Sequence, residues 1–224
     1  MDLKIFKICF YIILILLIVL FYTKNFNIFG NKFYKNIKTI TNPNNIDVLV
    51  NKNNKLSKNY MPNDLVLLNV NYSNENKYLR EEAAINFEKL SLDASKLGYK
   101  IIAVSTFRSY DYQKNLFNYY VKNKGKNYAL NCSAKPGHSE HQTGLAVDVE
   151  GSNNDYDEFE SSIEFNWMIN NSYKYGFILR YPKGKENITG FKYEPWHYRY
   201  VGIELAKYLY KNNLTLEEYK KTLD

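Results

Sequence analysis

The pattern of apolar and polar residues along the chain predicts a few amphipathic helices separated by short strands. The clearest helical repeat covers residues 77–97, where apolar side chains recur every three or four positions and Gly98 follows as a C-terminal cap. Residues 99–104 then form an apolar run that favours a strand. Ser109 is placed to cap a second helix that ends near Lys122.

The second half of the chain continues this alternation. The predicted elements there are a helix from Ser161 or Ser162 to Gly176, a strand at 177–181, a polar loop at 182–190, a helix at 201–210 and a last short helix that begins at the capping-box sequence 215–218. Closer to the N-terminus, residues 46–50 favour a short strand. This irregular order predicts an α+β fold with a small, mostly antiparallel sheet flanked by helices.

The N-terminus contains a long apolar run. Residues 8–23 are uncharged, and these 16 residues extend over roughly 24 Å as a helix, at about 1.5 Å per residue. This is close to the length of a membrane span, and no small-residue cleavage site follows it, so we favour an uncleaved transmembrane anchor over a signal peptide. Lys4 and Lys7 precede the run, which predicts a single-pass protein of the cell membrane with its main domain outside the cell.

The chain therefore has three expected parts: a cytoplasmic tip and membrane anchor at 1–24, a linker at 25–45 and one domain at 46–224. Residues 1–24 hold three lysines and one aspartate, so 27 of the 30 basic and 22 of the 23 acidic residues lie beyond them. This mildly basic balance suits an anionic wall or membrane surface, and ordinary solubility explains it equally well. Cys9 and Cys132 are not expected to pair, and no basic run with interleaved aromatic residues suggests binding of nucleic acid.

The sequence SEHQTGLAVD at 139–148 raises the first question of chemistry, because an aspartate closes an apolar stretch in which a buried strand would be expected to continue. The chain has three histidines, His138, His141 and His197, and the last of them follows Glu194 in the sequence Glu-Pro-Trp-His. Two histidines and one aspartate are a typical ligand set of a catalytic zinc, whose fourth position is left for water. We do not expect His138 to be a ligand.

His141, Asp148 and His197 are therefore candidate zinc ligands, and Glu194 is a candidate general base. A regular strand would place residues 194 and 197 on opposite faces, so we expect the backbone to kink at Pro195. On spacing alone, plainer interpretations stay open. A lone histidine is more often a core or surface residue, and an aspartate at a strand end is more often a cap or a salt-bridge partner.

Three segments together resemble one known family. They are STFRSY at 105–110 with Gln113, PGHSEHQTGLAVD at 136–148 and EPWHY at 194–198. In this order they are similar to the D-alanyl-D-alanine carboxypeptidases of the VanY type, zinc peptidases that trim the peptide stems of peptidoglycan. With the similar lead-in segments 46–52 and 61–65, the resemblance covers roughly residues 46–205. It implies the fold shared by zinc D,D-peptidases and hedgehog-like proteins.

The resemblance also implies a cofactor, Zn²⁺, and a role for each matched residue. The implied metal ligands are His141, Asp148 and His197, the general base is Glu194, and the substrate-binding residues are Arg108, Gln113, Ser139 and Trp196. Arg108 would hold the C-terminal carboxylate of the substrate or the developing oxyanion, because its planar guanidinium binds such groups bidentately. The chain departs from the family at Thr106, where glycine is common, and at Phe107, where tyrosine is usual. We expect these departures to affect the shape of the pocket.

The implied function is hydrolysis of the terminal D-alanine from peptidoglycan stem peptides by a membrane-anchored, monomeric D,D-carboxypeptidase. The same residues would serve an L,D-carboxypeptidase that acts on tetrapeptide stems. An endopeptidase is less favoured, because it would not need the carboxylate-binding Arg108. A non-catalytic wall-binding module is less favoured too, because all three ligands and the base are present.

Overall fold

The computed structural model describes residues 10–16, 33–153 and 155–223, and the chain divides into two compact units, residues 1–36 and residues 37–224. In the first unit, residues 10–16 are helical. The other residues of the predicted anchor, 8–9 and 17–23, lie outside the described residues. Within the described ranges, no helix combines the length and the apolar character needed to cross a membrane.

The second unit is built from short strands and helices. The strands are β1 (Lys38–Thr39), β2 (Asn54–Lys55), β3 (Leu65–Leu67), β4 (Tyr78–Arg80), β5 (Ile102–Ser105), β6 (Ala146–Glu150), β7 (Phe177–Leu179) and β8 (His197–Tyr200). The α-helices are α1 (Glu81–Ser95), α2 (Tyr110–Lys124), α3 (Lys126–Cys132), α4 (Ile163–Asn171), α5 (Glu186–Thr189), α6 (Ile203–Asn212) and α7 (Leu216–Lys221). Short 3₁₀ helices lie at Val70–Tyr72, Glu140–Thr143, Phe159–Ser161 and Ser172–Tyr175.

Four of the strands form the central sheet, in the order β5-β6-β8-β7 and with every pair antiparallel. Helix α1 packs on this sheet, and its buried Phe87 meets Phe177 edge-on with ring centroids 5.9 Å apart. The predicted α+β fold with a small antiparallel sheet is confirmed. The one parallel pairing among the described strands joins β1 and β2.

Several predicted elements are confirmed by their caps. The hydroxyls of Ser109 and Ser162 accept hydrogen bonds from the first turns of α2 and α4, and Thr215 begins α7 with a complete capping box. Gly176 ends the predicted third helix, whose last turn is 3₁₀. These positions agree because a cap is a local interaction that the sequence specifies directly.

Other predicted boundaries were wrong. The helix expected at 77–97 begins only at residue 81, because residues 78–80 pair with β3, and the strand expected at 99–104 occupies 102–105. Residues 46–50 form no strand, and the carbonyls of Ile46 and Val48 accept hydrogen bonds from Arg199 at 2.9 and 2.8 Å. The loop expected at 182–190 contains α5. The linker expected at 25–45 stays a prediction, and the second compact unit itself begins at residue 37.

Candidate active site

Strand β6 explains why an aspartate follows an apolar stretch. The strand does not stop at Asp148 but continues to Glu150, and side chains alternate between its two faces. Val147 and Val149 are fully buried in the core beneath the sheet, so Asp148 projects from the opposite face. Asp148 also lies directly opposite His197 of β8 in the sheet register, and the pairing brings the two side chains together.

His141 reaches the same place from the turn just before β6. Ser139 caps this 3₁₀ helix by accepting a hydrogen bond from the amide of His141 at 3.3 Å. Gly144 ends the turn with a φ of +67°, and a Cβ there would lie 2.8 Å from Leu65. The glycine therefore satisfies both the left-handed conformation and the close approach of the lead-in segment.

The ring of His141 has its tautomer fixed by the backbone. Its Nδ1 lies 2.6 Å from the carbonyl oxygen of Thr106, which can only accept, so Nδ1 carries the proton. The lone pair of Nε2 then faces Asp148, whose Oδ2 is 3.2 Å away. Burial, with Arg108 nearby, lowers the pKa of His141 to about 4, so the imidazole is neutral at physiological pH.

His197 approaches Asp148 through its other nitrogen. Nδ1 lies 2.8 Å from Oδ1 of Asp148, and the rings of His141 and His197 are 5.0 Å apart. Burial alone would lower the pKa of His197, yet the carboxylates of Asp148 and Glu140 outweigh it and raise that pKa to about 9. The two histidines therefore present different nitrogens, Nε2 and Nδ1, to one carboxylate.

This cluster fits a zinc ion. One ligand atom from each of His141, Asp148 and His197 can be chosen so that all lie within 4.8 Å of one another, and His138 is not among them. The lone pair of His141 Nε2 and the oxygen of Asp148 are both acceptors, and the buried Nε2 has no hydrogen-bond partner. A cation between them would resolve this conflict, and imidazole nitrogen with carboxylate oxygen is a ligand set that zinc accepts.

Glu194 lies beside the cluster at a turn in the backbone. Residues 195–196 form this turn, with the amide of His197 bonded to the carbonyl of Glu194 at 3.2 Å, which is the expected kink. Oε2 of Glu194 is 4.0 Å from Nδ1 of His197. Burial raises the pKa of the Glu194 carboxyl to about 7, a value suited to accepting and returning a proton near neutral pH.

The other predicted site residues line one cavity with the cluster. This cavity has a volume of about 440 Å³, and Arg108, Gln113, Ser139 and Trp196 all contribute to its wall. Nε of Arg108 is buried without a hydrogen-bond partner. Gln113 donates its amide to the carbonyl of Ala134 at 2.8 Å and to the hydroxyl of Ser133 at 3.2 Å, so its remaining polar atom, Oε1, is an acceptor.

The two departures from the family pattern lie elsewhere. Thr106 and Phe107 are not among the residues that line the cavity, and their expected effect on pocket shape stays a prediction. The carbonyl of Thr106 supports His141, and its hydroxyl accepts a hydrogen bond from the amide of Tyr78 at 3.0 Å. Thr106 therefore links the candidate metal ligands to strand β4.

A buried ionic cluster that was not predicted from the sequence lies behind His197. Glu140, Arg180, Arg199 and Glu217 are all buried, and Glu140 Oε1 accepts hydrogen bonds from both arginines at 2.8 Å. Arg180 makes a two-pronged contact with Glu217 of α7 at 2.7 and 2.8 Å. The signal was present in the sequence, since both arginines stand in otherwise apolar or aromatic runs.

The chain matches a known protein family. Residues 76–203 match the family model described as VanY, D-alanyl-D-alanine carboxypeptidase. The chain belongs to this family. It is a zinc-dependent carboxypeptidase, and His141, Asp148 and His197 are the candidate ligands of its zinc.

Three similar proteins show how far the likeness extends. The chain is 40% identical to the bifunctional D-Ala-D-Ala dipeptidase and D-Ala-D-Ala carboxypeptidase VanXYC of Enterococcus gallinarum over 176 residues, 76% of this chain and 91% of that protein. The solved LdcB LD-carboxypeptidase has a TM-score of 0.78 and 48% identity, covering 84% of this chain and 91% of LdcB. A mutant of the vancomycin resistance D,D-pentapeptidase VanY in complex with Zn(II) has a TM-score of 0.68 and 34% identity, covering 78% and 98%.

Proposed function

We propose that this protein removes the terminal D-alanine from peptidoglycan stem peptides, as a D,D-carboxypeptidase acting on pentapeptides. The observation that carries the proposal is the placement of Arg108 in the same cavity as the candidate metal ligands. The buried Nε of Arg108 has no hydrogen-bond partner. A guanidinium in this position suits a substrate whose peptide bond lies one residue before a free carboxylate. Cleavage at that bond releases one amino acid.

Glu194 and Arg108 would have separate roles in the hydrolysis. Zinc in such a site supplies Lewis-acid chemistry and lowers the pKa of water. Glu194, 4.0 Å from His197, would take the proton of the attacking water and return it to the amine of the leaving D-alanine. Arg108 would hold the carboxylate of that residue, which keeps the scissile carbonyl oriented.

Gln113 and Ser139 complete the proposed subsite for the terminal residue. The amide nitrogen of Gln113 is already engaged, so Gln113 would accept a hydrogen bond from an N–H of the substrate through Oε1. An acceptor does not bind a carboxylate, so this role belongs to Arg108 alone in the proposed subsite. Trp196, which meets Tyr156 edge-on with centroids 5.3 Å apart, would form part of the cavity wall.

A second candidate is L,D-carboxypeptidase activity on tetrapeptide stems. It is favoured by the likeness to LdcB, whose TM-score and identity both exceed those of the zinc-bound VanY structure. Both reactions release a terminal D-alanine and need the same carboxylate-binding arginine. They differ in the residue before the scissile bond, which is D-alanine in one case and the L-centre of a diamino acid in the other.

One experiment separates the two candidates. The purified protein is incubated with zinc and either a pentapeptide or a tetrapeptide stem, and the products are identified by mass spectrometry. We expect loss of one D-alanine from the pentapeptide, no loss after chelation, and a strongly reduced loss in Glu194→Gln. Loss from the tetrapeptide alone would overturn the D,D assignment, and cleavage of neither stem would overturn both.

We also propose that the protein is a single-pass membrane protein whose domain lies outside the cell as a monomer. The support is the apolar run at 8–23 with lysines before it. Fractionation of cells, followed by protease treatment of intact protoplasts, tests this placement, and light scattering tests the monomer. Recovery of the full chain in the soluble fraction would contradict the anchor.

A further inference from the structure

We propose that Glu140 is a positioning residue that fixes the ring of His197 for zinc, and that Glu217 of the C-terminal helix α7 supports it through Arg180. The proposal rests on the zinc site described above. It concerns residues that are not among the candidate metal ligands or the proposed substrate contacts. Glu217 also lies beyond residues 76–203, which match the family model.

The first observation is a pair of buried atoms that face each other. Nε2 of His197 and Oε2 of Glu140 lie 3.5 Å apart, and neither has a hydrogen-bond partner. This distance is slightly too long for a hydrogen bond, so a small rotation of the imidazole would form one. With Nδ1 directed at Asp148 and the metal position, Nε2 is the nitrogen left to donate to Glu140.

The second observation is that Glu140 is itself held in place. Its other oxygen, Oε1, accepts hydrogen bonds at 2.8 Å from Nε of Arg180 and from Nη1 of Arg199. The side chains of all three residues are fully buried. Because Oε1 is occupied by two cations, the carboxylate cannot turn away from His197, and Oε2 stays directed at the ring.

Glu217 completes the charge balance of this buried cluster. Arg180 spans the two carboxylates, with Nε on Glu140 and both terminal nitrogens on Glu217 at 2.7 and 2.8 Å. Asn51 also donates to Glu217, at 3.3 Å. Two arginines and two glutamates give the cluster no net charge, so loss of either carboxylate would leave an extra positive charge close to the zinc position. Such a charge opposes binding of a cation.

The test is the zinc affinity of the full-length chain, measured by competition with a chromophoric chelator in Glu140→Gln, Glu217→Gln and Glu164→Gln. Loss of a residue that orients a metal ligand typically weakens binding by about 10–100-fold. We expect that weakening in Glu140→Gln and a smaller one in Glu217→Gln. Glu164 is the matched control, since it is an equally buried carboxylate whose hydrogen bonds go to Ser152 and to the backbone of Lys100.

A purely structural role would give a different result. In that case the three variants would lose thermal stability while each folded variant bound zinc as tightly as the unchanged protein, and this outcome would overturn the proposal. If Glu140→Gln does not fold, NMR of the unchanged zinc-loaded protein decides. We expect a slowly exchanging, downfield Nε2 proton on His197 that moves in Glu217→Gln, and a Nε2 without a proton would overturn the inference.

The outcome is separable from that of the proposed function. A protein that cleaves no stem peptide, but loses zinc affinity in Glu140→Gln, would refute the activity and retain this inference. If the unchanged protein cleaves stem peptides and a folded Glu140→Gln binds zinc as tightly as before, the proposed activity is retained and this inference is refuted.

Discussion

The two histidines among the candidate zinc ligands, His141 and His197, are held in place by different kinds of group. His141 donates Nδ1–H to a backbone carbonyl, that of Thr106, at 2.6 Å. His197 faces a side-chain carboxylate, that of Glu140, at 3.5 Å, and this carboxylate depends on two buried arginines. A carbonyl support persists whatever side chain occupies the position, whereas a carboxylate support can be removed by one substitution. The site therefore has one side that tolerates sequence change and one that does not.

The largest effect is expected for Asp148→Ala, which removes the residue that both histidines share. Asp148 lies 3.2 Å from His141 and 2.8 Å from His197. Zinc affinity should fall by more than about 100-fold, because loss of an outer partner alone costs about 10–100-fold. Elemental analysis after dialysis measures the zinc, and a hydrolysis assay should detect no product. Full zinc content would remove Asp148 from the ligand set, and the exposed Asp155→Ala serves as control.

Glu194→Gln should separate catalysis from metal binding on the His197 side of the site. The substitution keeps the shape of the side chain but removes its ability to take a proton, so kcat should fall by about 10²–10⁴-fold. Zinc content should stay at one per chain, since Glu194 is not one of the three clustered ligands. A variant with unchanged kcat would show that another group moves the proton.

Arg108→Ala should leave both histidines and their supports in place, because its contact with His141 is made by the backbone amide at 3.1 Å. A hydrogen bond to a charged group contributes about 1.5–3 kcal/mol, which corresponds to about 10–150-fold in kcat/KM. The sharpest readout compares a stem peptide with its C-terminal amide. The unchanged protein should prefer the free acid, and the variant should lose that preference. A retained preference would assign the carboxylate to another residue.

The sequence predicted this arrangement unevenly, for physical reasons. Asp148 could be found because a charge in an apolar strand needs a partner, and Arg180 and Arg199 carry the same signal. Glu217, the partner of Arg180, could not be found, since it is 37 residues from Arg180 on a separate helix. The choice of Nε2 in His141 and Nδ1 in His197 also depends on tertiary contacts. The caps at Ser109 and Thr215 were predictable because each interaction spans only three residues.

The smallest effect on zinc is expected for Thr106→Ala, which tests the tolerant side directly. The carbonyl that holds Nδ1 of His141 belongs to the backbone, so the substitution retains it. What is lost is the hydroxyl that accepts the amide of Tyr78 at 3.0 Å. The hydrogen bond is only partly buried, so the free energy of unfolding should fall by about 0.5–1.5 kcal/mol, the usual net contribution of one hydrogen bond.

Zinc affinity should nevertheless stay within about twofold of the unchanged protein, against the 10–100-fold loss expected when a side-chain partner of a ligand is removed. Chemical denaturation and chelator competition on the same sample measure both quantities. A large loss of zinc affinity in a folded Thr106→Ala would mean that the threonine hydroxyl sets the position of the carbonyl that supports His141. The two histidines would then both depend on side chains, and the contrast between them would disappear.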